Sequence, residues 1–165
     1  MSTKLKIAAA VAAAVLLSAC SSPKHEPMPL VKFTPSMEVT EVWSKGLSSA
    51  EGFLVPAVYD DMVFAAGGKT LTRLNARTGE TEWSVSFNSP ITGGVGSDGY
   101  VTAVGLWDGN LEVVDAEGKV SWEKKLTTEL ASPPVVSHGL VIARTMDTRV
   151  SAFEASSGEL QWTYQ

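Results

Sequence analysis

Short apolar runs punctuated by turn residues recur along the chain from about residue 57 onward. "MVFAAG" (62–67), "YVTAVG" (100–105) and "LVIART" (140–145) each follow a turn pair, namely Asp60-Asp61, Asp98-Gly99 and His138-Gly139. Runs of this length, rich in Val and bounded by Gly or Asp, read as strands joined by hairpins. A second set of turns follows at Gly67-Gly68-Lys69, Asp108-Gly109-Asn110 and Met146-Asp147-Thr148, and "TGE", "EG" and "SGE" make a third. Each period therefore predicts four short strands and three hairpin turns. No segment after residue 17 sustains the 3.6-residue periodicity of a helix.

The periods are copies of one another. "LTRLNARTGETEWS" (71–84), "LEVVDAEGKVSWE" (111–123) and "VSAFEASSGELQWT" (150–163) align with one deletion in the second. Their tryptophans are Trp83, Trp122 and Trp162, and Trp43 in "TEVWSKGL" stands one period earlier; the spacings are 40, 39 and 40. Trp107 falls outside the series. A unit of about 40 residues with four antiparallel strands predicts an all-β fold, a β-propeller blade repeated around an axis. One Trp per blade at constant phase reads as a structural residue that fills the wedge between neighbours.

Three blade periods run at about 44–83, 84–122 and 123–162, and 39–45 reads as an isolated fourth-type strand before them. Three wedges cannot close a ring of four to eight blades without exposed edges. Residues 39–165 are thus expected to form part of a propeller, with the remaining blades lying beyond Gln165.

The N-terminus carries a different pattern. Lys4 and Lys6 precede an uncharged run from Ile7 to Leu17, too short for a spanning helix of about 20 residues. The run ends in Leu17-Ser18-Ala19-Cys20, which resembles a bacterial lipobox. That resemblance implies a signal peptide over 1–19 and lipid attachment at Cys20, and Ser21 after it implies sorting to the outer membrane, with the protein facing the periplasm. The alternative is an ordinary signal peptide with an incidental Cys. Cys20 is the only Cys, so neither a disulfide framework nor a Cys metal site can be built. Residues 20–38 hold four Pro and read as an extended tether, in which His25 and Glu26 are solvated.

Composition agrees with a globular, turn-rich protein: 44% apolar, 19% charged, 14 Gly and 8 Pro. The net charge of −5 becomes −7 once Lys4 and Lys6 leave with the signal peptide, which argues against nucleic-acid binding.

Chemical motifs are few. "GVGSDG" (94–99) matches G-x-G-x-x-G, but a strand follows it where a dinucleotide site needs a helix N-terminus. His138 sits alone in a turn and supports no catalytic triad. Asp60, Asp61, Asp98, Asp108, Asp115 and Asp147 mostly occupy turn positions, where Asp is expected for local hydrogen bonding. No catalytic, cofactor-binding or metal-ligating residue is assigned, and no cofactor is expected.

The blade pattern L-x-x-L-[ND]-A-x-[TS]-G-x-x-x-W, best seen in "LNARTGETEW" and "FEASSGELQW", resembles the quinoprotein-type propeller repeat. With the lipobox and the tether before "VWS", the whole chain is similar to the BamB family of outer-membrane assembly lipoproteins. The resemblance implies an eight-bladed, non-enzymatic scaffold. Its partners would be the POTRA domains of the barrel subunit BamA, other subunits of the β-barrel assembly machinery, and unfolded barrel clients. The loops credited with gripping BamA match no position before Gln165. Two alternatives stay open: a quinone-dependent dehydrogenase-like propeller, and a lipoprotein propeller with another cell-envelope partner.

Overall fold

The structure, a computed structural model, describes residues 27–48 and 54–165. The expected signal peptide, Cys20, His25 and Glu26 lie outside the described residues. Residues 27–39 belong to one compact unit of the chain and Thr40–Gln165 to a second. In the first, the described residues form no helix or strand.

The second unit is built of 12 strands in three four-stranded sheets, each a meander of consecutive antiparallel neighbours. The first sheet holds β1 (Ala57–Tyr59), β2 (Met62–Gly67), β3 (Thr70–Asn75) and β4 (Thr81–Ser86). The second holds β5 (Ile91–Ser97), β6 (Thr102–Leu106), β7 (Asn110–Val114) and β8 (Val120–Lys125). The third holds β9 (Val135–Ser137), β10 (Leu140–Arg144), β11 (Val150–Glu154) and β12 (Leu160–Tyr164). These are blades of a partial β-propeller. Each fourth strand runs two or three residues past its tryptophan.

The turns form for local reasons. His138 and Gly139 both have positive φ (52° and 73°) between the paired Ser137 and Leu140, the requirement of a two-residue type I′ hairpin. Asp98 Oδ1 accepts the amides of Tyr100 and Val101, and Asp115 Oδ1 those of Glu117 and Lys119. Asp108 likewise accepts the Asn110 amide. These carboxylates stabilise turns, as the sequence pattern predicts. Gly94 to Ser97 lie in β5, so "GVGSDG" is strand and hairpin.

A register shift recurs in all three sheets, between Arg73 and Leu74, Val113 and Val114, and Ala152 and Phe153. Opposite it, the fourth strand carries one extra residue immediately before its Trp. Such a bulge re-aims the following side chain. The Trp then stands across from Arg73, Val113 or Ala152.

Two apolar layers hold the sheets together. Phe64, Ala66 and Leu71 of the first sheet pack with Val95, Val104, Leu106 and Val114 of the second. Ala103, Leu111 and Val113, on the second sheet's other face, pack with Val141, Ala143 and Phe153 of the third. The second sheet is covered on both sides, which explains why all five residues of β6 are buried.

Residues 39–45 are not a strand; the backbone from 39 to 48 makes no ladder. A strand needs a partner, and none lies beside this segment among the described residues. It is held instead by side-chain docking at Trp43.

Candidate functional site: the blade junctions and the open face

Three of the four repeat tryptophans make one contact. Trp43 Nε1 donates to the Ala76 carbonyl at 2.9 Å, Trp83 Nε1 to Ala116 at 2.9 Å, and Trp122 Nε1 to Ala155 at 2.8 Å. In each case the acceptor lies 33 residues further along, in the last hairpin of the next blade. Each indole also lies flat on a glycine of that hairpin: Gly79, Gly118 or Gly158. A Cβ on these glycines would stand 2.6, 2.8 and 2.7 Å from the ring, and their φ values are 71°, 81° and 71°. Glycine is required twice over, by backbone conformation and by contact. Trp83 and Trp122 are thus clamps between successive blades, and Trp43 clamps the preceding segment to the first. The Ala and Gly columns of the repeat supply the acceptor and the flat seat, a role that the sequence pattern did not reveal.

The first junction has an added bond. Arg73 Nη1 donates to the same Ala116 carbonyl at 3.0 Å, while its Nε pairs with Glu82 at 2.6 Å and its guanidinium lies 5.9 Å from the Phe64 ring centroid.

Trp162 holds the same phase on β12, yet it has no acceptor among the described residues and is 44% exposed. On the same face of the sheet, Val135 and Tyr164 are 54 and 73% exposed. The corresponding side of the second sheet is buried core. The third sheet therefore presents an open apolar face.

The face of each blade turned toward the preceding one carries a polar cross-strand pair beside the clamp. It is Thr72–Ser84 in the first sheet and Ser151–Thr163 in the third, both hydroxyl pairs, at 3.1 and 2.9 Å. In the second sheet the pair is Glu112–Glu123. Glu112 is buried, and desolvation, then the Glu123 charge, hydrogen bonding to Glu123 and the charge of Asp108, push its pKa up to about 7. Sequence reasoning missed this pair because its members are 11 residues apart and meet only through the register shift.

Other residues singled out by sequence are brought into no common site. Trp107 sits exposed in the β6–β7 turn, and His138 Nδ1 pairs with Ser137 Oγ at 2.7 Å. Among the described residues no three His, Cys, Asp or Glu side chains gather as a metal site would require.

The sequence matches a family profile described as outer membrane protein assembly factor BamB, over residues 39–90 and 67–165. The chain belongs to the BamB family. The BamB of Burkholderia pseudomallei is 38% identical over 162 residues, covering 95% of this chain and 42% of that protein. The BamB of Bordetella pertussis is 33% identical over 156 residues, covering 90% and 40%. Among solved structures, BamB from Moraxella catarrhalis superposes with a TM-score of 0.60 at 27% identity, over 67% of this chain and 34% of that one. The quinohemoprotein alcohol dehydrogenase of Comamonas testosteroni gives a TM-score of 0.56 at 22% identity, over 72% and 21%, a likeness of fold alone. The chain spans about two-fifths of the length of the curated BamB relatives it matches.

Proposed function

We propose that this chain contributes blades to a non-enzymatic scaffold of the β-barrel assembly machinery, anchored through lipid on Cys20 and facing the periplasm from the outer membrane. The observation that carries the reading is the family match, which spans all three sheets and joins a relative 38% identical. Rigid clamped blades displaying many loops suit a docking platform. Four of the six turn and near-turn aspartates, Asp98, Asp108, Asp115 and Asp147, are engaged in bonding within their own turns. BamA, through its POTRA domains, is the expected direct partner, other subunits of the machinery are bound with it, and unfolded barrel chains are candidate clients.

The test is affinity purification of the full-length protein from detergent-solubilised outer membranes. Recovery of BamA in stoichiometric amount is the expected result; its absence, with other envelope proteins recovered instead, would overturn the scaffold reading. Cys20→Ser should release the protein from the membrane fraction and abolish labelling by radioactive palmitate.

A further inference from the structure

At the rim of the junction between the second and third sheets lies a cavity of about 300 Å³. Phe153 and Leu160 give it an apolar floor, and Lys124, Arg149, Ser151 and Thr163 line it with polar groups. Lys124 is half-buried and has neither a hydrogen bond nor an ion pair among the described residues. Its ammonium is the lysine charge lining the cleft that no carboxylate or carbonyl engages among the described residues, and it is free to receive an anion. Neighbouring Lys125, by contrast, is tied to the Asp108 carbonyl. Part of the Arg149 charge is offset by Asp147, whose Oδ2 stands 3.3 Å from Arg149 Nε. Ser151 and Thr163 share one hydrogen bond of 2.9 Å, which uses one hydroxyl proton and leaves the other to donate.

We propose that this cleft is a binding site for a ligand with a single carboxylate and a small apolar body. Lys124 and the free hydroxyl proton of the Ser151–Thr163 pair receive the carboxylate, and Phe153 and Leu160 receive the apolar part. One unpaired cation matches one negative charge, and a volume at the small end of ligand pockets matches roughly one residue or a short acyl chain. Such chemistry has two sources: the C-terminal residue of a polypeptide, or a free amphipathic acid.

Calorimetric titration of the full-length protein with N-acetyl-leucyl-leucine, its C-terminal amide and octanoate separates them. The free-acid peptide or octanoate is expected to bind saturably, with the amide at least about tenfold weaker. Tighter binding of the peptide assigns a chain terminus, and tighter binding of octanoate a free acid. Lys124→Val copies Val85, the equivalent residue of the first sheet, and should lower affinity at least about tenfold without changing the melting temperature. Lys124→Gln, which keeps a polar group, should do the same. Equal binding of acid and amide, no binding of either acid, or full affinity in both Lys124 variants would overturn the proposal.

Discussion

The first and second blade junctions are held by the same clamp and filled with opposite chemistry. Both set an indole on a glycine and bond it to an alanine carbonyl, at 2.9 and 2.8 Å. Beside the clamp, the first junction sets buried Glu112 against exposed Glu123, where the second has the hydroxyls of Ser151 and Thr163. Two residues after the clamping Trp, the first junction places Val85 and the second Lys124. Repetition preserves what joins the blades and releases what lines the joints. A scaffold made this way acquires distinct surfaces at each junction without altering its frame.

The largest effect should come from breaking a clamp. Trp122→Ala in the full-length protein should cost about 3 kcal/mol, read from the denaturant midpoint, because it removes a large, partly buried ring and leaves the Ala155 carbonyl without its donor. The first junction, with Arg73 as second donor to Ala116, should lose less from Trp83→Ala than the second does from Trp122→Ala. Equal losses would show that Arg73 adds nothing. Gly118→Ala should cost about 2 kcal/mol by the same measurement, since it combines a φ of 81° with a 2.8 Å approach to the Trp83 ring.

The acidic pair gives the first junction a pH dependence that the second lacks. The folded-state pKa of Glu112 is raised, so the fold binds its proton more tightly than the unfolded chain does. The contribution is fully present below about pH 4.5, fades as pH rises to about 7, and stays lost above that. Solvent around the exposed Glu123 screens its charge, which leaves about 1–2 kcal/mol. Glu112→Gln should be more stable than the parent by that amount at pH 8, equal to it at pH 4.5, and should flatten the intervening melting-temperature slope. The smallest effect belongs to the surface pair of Arg77 with Asp61 at 3.0 Å, both well exposed. Arg77→Ala should shift stability by less than about 1 kcal/mol, and less still in high salt.

The strands, hairpins and Trp period were legible because each depends on residues close in sequence. Asp98, Asp115 and His138-Gly139 announce their turns through chemistry confined to four or five residues. The segment 39–45 misled for the opposite reason. Its composition suits a strand, but a ladder depends on a neighbour, and composition says nothing of neighbours. The clamps were half legible: the Trp column pointed to a wedge, while the Ala and Gly that receive it belong to the following period. The Glu112–Glu123 pair and the Lys124 cleft were not legible, since each depends on a bulge and on two blades facing one another.

The constant interval between each Trp and its acceptor also bears on how the molecule assembles. A clamp closes only when a stretch 33 residues further on has formed its hairpin. For a chain emerging from its N-terminal end, every closure therefore waits for the same added length and costs nearly the same loop entropy. Assembly can advance as a series of equal local steps, each new blade locking the one before it, with no step growing harder as the protein grows longer.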